Sequence, residues 1–181
     1  MSDAPPRASE FRTVDPCAAL SNSLTQVGEV LKLLEADQYQ STDLAAFDSS
    51  IGAHVRHCLD HVQSLLDRCP ERGVTYDRRR RGTAVETDLQ VGREELARIA
   101  RQGDALEEPL DAEISIYAIV TPDRPEQPFT STLGRELLYV FLHTVHHLAI
   151  IRAQARSLGF ELDPELGRAP ATVAADRASR P

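Results

Sequence analysis

His143 and His147 stand four residues apart in the apolar run from Phe141 to Arg152. At 3.6 residues per turn, positions i and i+4 lie about 40° apart on a helix and about 6 Å along it. Two imidazoles at that spacing can converge on one metal ion. A second group, His54, His57 and His61, lies far upstream, and with His146 the two stretches hold all six histidines of the chain. Confinement of histidine to two short segments is what a site between two facing helices requires. A lone histidine at a core edge is usually a hydrogen-bonded structural residue, and HxxxH alone is common. The two stretches together therefore argue for a divalent metal, and imidazole ligands suit Zn, Ni or Fe alike.

These side chains need two helices to carry them. The first spans about Ser50 to Arg68, ending before Pro70, with Ile51, Val55, Leu59, Val62 and Leu66 as its apolar face. On its wheel His54, His57 and His61 fall within roughly 60° of one another along one edge of that face. His54 and His61 lie nearer its centre than His57, so burial alone would favour them as the ligand from this helix. The second helix starts near Ser131 or Thr132 and runs to about Leu158, with Gly159 as its stop. Leu133, Leu137, Phe141, Val145, Leu148, Ile151 and Ala155 share one face, and Glu136, His143, His147 and Gln154 form a stripe at its edge. His146 points further out. Glu136 precedes His143 by one heptad, about 10 Å along the axis, which puts it behind the ligands or facing a substrate rather than on the ion.

The rest of the chain reads as support. Residues 1–14 are a loose polar tail. Asp15 and Pro16 open a helix to about Glu35, with Leu20, Leu24, Val27, Leu31 and Leu34 on one face. A polar connection covers 36–48, and a basic loop follows from Gly73 to Glu86. A weaker helix then starts at Thr83 or Thr87 and stops at Gly103. Glu113 to Val120 and Pro128 to Thr132 form a short β-hairpin around a Pro-rich turn. The expected organisation is all-α, one domain over 15–160, with a hairpin before the last long helix. An extension over 161–181 docks in part and is mobile at its end.

Composition removes several classes of function. With 181 residues and a net charge of −8, and an isoelectric point near 5.2, the chain lacks the basic face of a nucleic-acid binder. Arg78 to Arg81, flanked by Asp77 and Glu86, reads as a solvated or salt-bridging run. Cys17, Cys58 and Cys69 form no CxxC pair, which fits a reducing compartment, and Cys58 reads as a small core residue. No signal peptide or membrane span is evident, so a cytoplasmic protein without membrane partners is expected. The position that carries Glu in HExxH is Thr144 here, and no GxSxG, GxGxxG or P-loop pattern occurs.

The stretch Ser50-Ile-Gly-Ala-His-Val-Arg-His57-Cys-Leu-Asp60, together with His143 and His147, resembles the DinB-like superfamily, also described as YfiT-like metalloenzymes. The match at the upstream stretch is a histidine followed by an apolar residue and then an acid. The resemblance implies a four-helix bundle, often a homodimer, in which His57, His143 and His147 hold a divalent ion. His54, His61 and His146 crowd that pattern. Relatives of this kind include thiol-dependent S-transferases, a mycothiol-dependent isomerase and iron-binding domains of sulfoxide synthases. The expected function is a metal-dependent enzyme that activates a thiol or water for a small-molecule substrate, in the manner of a transferase or a hydrolase. His54, His61 and Glu136 would then be tentative acid, base or supporting residues. The competing class is a non-catalytic metal-binding or stress-response protein whose ion only ties two helices together.

Overall fold

The computed structural model describes residues 15–42, 48–68, 73–78 and 81–179. Helix α1, Pro16–Leu33, begins where Asp15 accepts a hydrogen bond from the Cys17 N–H and Pro16 needs no backbone donor. It buries Leu20, Leu24, Val27 and Leu31 as its spacing requires. Helix α3, Ile51–Leu66, is capped by Ser50, whose side chain accepts from the Ala53 N–H. Helix α5, Leu89–Asp104, is capped by Asp88, which accepts from the N–H groups of Gln90 and Val91. Helix α6, Leu133–Ser157, starts at the cap Thr132. It stops before Gly159, whose φ of +87° suits a residue without Cβ.

Helix α1 packs on α5 and α6, and α3 packs on the same two. The apolar stripes thus close on one core that includes Val27, Leu31, Val55, Leu59, Val62, Ile99, Leu137, Leu148 and Ile151. Strands β1, Glu113–Ala118, and β2, Gln127–Thr132, pair antiparallel with Glu113 opposite Thr132 and Ala118 opposite Gln127. The chain among its described residues is therefore mostly helical, with this small sheet between α5 and α6.

Three segments depart from the sequence expectation. The connection after α1 contains a short helix α2, Ala36–Gln40, held by Tyr39. That ring is 0 % exposed and its hydroxyl donates to the Val85 carbonyl at 2.6 Å. The basic loop is more ordered than read: Val74 forms a parallel bridge with Ile116, and α4, Ala84–Thr87, precedes α5. The tail carries a helix α7, Pro170–Ala178, and its approach is docked. Leu166 is buried, Arg152 donates to the Pro164 and Leu166 carbonyls, and Gly167 meets the backbone of Ala149. The expected polar tail 1–14, Cys69, Arg79 and Arg80 lie outside the described residues. Arg78 behaves as a salt-bridging residue, donating to both carboxylate oxygens of Glu126. No helix among the described residues is long and apolar enough to cross a membrane.

Candidate metal centre

Helices α3 and α6 carry five of the six histidines against one another, and His146 is exposed. One ring nitrogen from each of His57, His143 and His147 lies within 4.8 Å of the other two. The Nε2 atoms of His57 and His143 face each other at 2.9 Å. The His57 ring stands edge-on to His143 and His147, with centroids 4.8 and 4.6 Å away. Ring nitrogens that share one zinc ion sit about 3–4 Å apart, since each Zn–N distance is about 2.0–2.1 Å. The three nitrogens bracket that range, so this donor set is one that could hold a divalent cation. Burial, followed by the neighbouring imidazoles His143, His54, His146 and His61, holds the His147 ring well below its ordinary range, at about 3. At neutral pH that ring is uncharged and offers a lone pair.

His54 and His61 flank this triad in different ways. The Nδ1 of His54 faces the Nδ1 of His147 at 2.9 Å, and its Nε2 lies 2.8 Å from the Ser49 hydroxyl. Burial also pulls the His54 ring below its ordinary range. His61, only 3 % exposed, has its Nδ1 at 3.0 Å from the His57 carbonyl. A carbonyl can only accept, so that nitrogen carries the proton and Nε2 is the basic nitrogen of the neutral ring. The His61 ring also stacks on His143, with centroids 4.1 Å apart.

Glu136 is buried but is not among the convergent donors. Its carboxylate accepts from the Tyr76 hydroxyl at 2.9 Å and from the Ser131 hydroxyl at 2.6 Å. Tyr76 in turn stacks on His61, 5.2 Å between centroids and 6° between planes. Glu136 thus reaches the histidines through an aromatic ring. Gln154, on the same stripe, is fully buried and donates to the Ser49 carbonyl at 2.5 Å.

Sequence reasoning missed Tyr76, Tyr139, Ser49 and Ser131 as neighbours of the site. Tyr139 lies four residues before His143, a spacing that could have flagged it, and its ring stacks on His143 at 5.8 Å. Tyr76 gave no signal, because the bridge between Val74 and Ile116 that delivers it is a long-range pairing. Asp60, the acid of the upstream motif, lies 2.7 Å from Arg56, which also pairs with Glu86 at 3.0 Å. Thr144, at the HExxH glutamate position, donates to the Val140 carbonyl and supplies no base. Burial pushes the Cys58 thiol up to about 12, which leaves it protonated and inert in the core.

No family model matches the chain. Over 105 residues, 55 % of its length, the chain is 31 % identical to a protein of Rhizopus delemar named FK506-binding protein 5. The chain covers 26 % of that relative, about a quarter of its length. A likeness this partial does not show the family. No solved structure matches either.

Proposed function

We propose that this chain is a DinB-like metalloprotein in which His57, His143 and His147 hold one divalent ion, Zn, Ni or Fe, for a metal-dependent reaction of a small molecule. The observation that carries the reading is the convergence of three imidazole nitrogens within 4.8 Å from helices that are about 90 positions apart in the chain. The packing of α1, α3, α5 and α6 supports a four-helix bundle with the site between α3 and α6. The same reading takes the protein to be cytoplasmic and homodimeric, with no nucleic-acid partner.

When bound, such an ion is a Lewis acid that lowers the pKa of a thiol or a water. The chain's own groups are arranged to work beside it. His61 presents a basic Nε2 that can take the substrate's proton, because its other nitrogen is committed to the His57 carbonyl. Tyr76, anchored on Glu136, and Tyr139 line one side of the site with aromatic surface, stacked on His61 and His143. The substrate class is a low-molecular-weight thiol for transfer, or a small molecule for hydrolysis.

The test is elemental analysis of untagged protein purified without added metal, followed by thiol reactivity before and after chelation. About one equivalent of metal with chelator-sensitive reactivity supports the reading. A metal that stabilises the fold without any reactivity makes the protein a binding module. Absence of metal after incubation with each of the three ions overturns the site.

A further inference from the structure

Resting on that metal reading, we propose that His54 is a positioning residue: it fixes the His147 ring through their facing Nδ1 atoms, and is itself fixed by Ser49 and Gln154. The four residues form a closed circuit. His147 and Gln154 lie one heptad apart on α6, so both project from the same side of that helix. Gln154 donates to the Ser49 carbonyl and so holds the start of the turn before α3. The Ser49 hydroxyl lies 2.8 Å from His54 Nε2, and His54 Nδ1 lies 2.9 Å from His147 Nδ1. Helix α6 thus grips both ends of a link that passes through α3.

Two nitrogens at 2.9 Å share one proton between them, and the ligand role decides which one carries it. If His147 gives its Nε2 lone pair to the ion, its Nδ1 bears hydrogen and donates to His54 Nδ1. The hydrogen of His54 then sits on Nε2 and is donated to the Ser49 oxygen. All rings stay neutral and each nitrogen has one role. A ligating imidazole whose second N–H is accepted in this way is held in one orientation and made a better donor. The rival geometry makes His54 a fourth ligand, with the two Nδ1 atoms on the ion.

Zinc alone serves as the probe, titrated into the full chain against a chromophoric chelator, with X-ray absorption counting imidazoles in the zinc shell. Circular dichroism checks that each variant folds. His54→Ala should weaken zinc binding roughly 10–100-fold while the shell keeps its three histidines. His54→Asn should recover most of that loss, since the amide oxygen can accept where Nδ1 did. Ser49→Ala should weaken binding less than His54→Ala, and the double variant no more than His54→Ala alone. Wild-type affinity in His54→Ala, failure of Asn to rescue, or one imidazole fewer in the shell would overturn the proposal. A wild-type chain that takes up no zinc would instead remove the metal reading on which it stands.

Discussion

The triad is a residue-scale claim, and single substitutions should separate its members. His57→Ala, His143→Ala and His147→Ala should each abolish stoichiometric metal, whereas Glu136→Ala should keep about one ion per chain and alter reactivity only modestly. The carboxylate of Glu136 is occupied by two hydroxyl donors rather than directed at the ring nitrogens. Metal loss in Glu136→Ala would make it a ligand. The His147 ring also predicts a pH dependence in metal-free protein. Its proton affinity is depressed to about 3 in the folded chain against about 6.5 in an unfolded one. The unfolded state therefore binds the extra proton first. This stability is fully present above about pH 6.5 and is lost as the pH falls from there towards 3, by at most about 1.4 kcal/mol per pH unit. Urea midpoints in the presence of chelator, measured at pH 7 and pH 5, should fall more for the wild type than for His147→Gln. Equal slopes would mean that His147 titrates normally.

At the scale of elements, the approach of α3 to the α4 region depends on Gly52. A Cβ there would lie 2.1 Å from the Glu86 carbonyl oxygen and 2.8 Å from the Tyr39 ring. Backbone cannot yield as a side-chain tip can, so Gly52→Ala should destabilise the protein by roughly 1–3 kcal/mol despite the better helix propensity of alanine. Urea unfolding measures this directly, and a neutral or stabilising result would mean that α4 is not packed on α3 as described. Tyr39 belongs to the same packing, since Gly92 also faces its hydroxyl group at 2.5 Å from a Cβ position. Two glycines on neighbouring helices make the slot that α2 fills.

On the scale of the whole molecule, an ion held by α3 and α6 couples metal binding to folding. An ion that binds only the folded chain adds RT ln(1 + [L]/Kd), about 2.7 kcal/mol at a hundredfold excess over Kd. For a chain of this size that is roughly 5–10 °C of melting temperature. Zinc should therefore raise Tm by that amount in the wild type and leave His57→Ala unmoved. An equal rise in both would place the bound zinc elsewhere.

The long helices and the hairpin were legible because their determinants are local. Asp15 with Pro16, Ser50, Thr132 and Gly159 mark helix ends within a residue or two, and the apolar spacing of Leu20 to Leu31 needs no partner to be recognised. Histidine spacing likewise put His143 and His147 on one edge of a helix and left His146 outside. What sequence could not decide is which upstream histidine meets them. His54, His57 and His61 share one edge of α3, and the placement of α3 against α6 sets His57 Nε2 2.9 Å from His143 and His54 Nδ1 2.9 Å from His147, while His61 Nδ1 faces the His57 carbonyl of its own helix. The short helix α2 and the Val74 bridge escaped for a related reason. Each is held by long-range contacts, Tyr39 to Val85 and Val74 to the strand around Ile116. Local propensity carries no record of a partner dozens of residues away, so tertiary packing alone decides such segments.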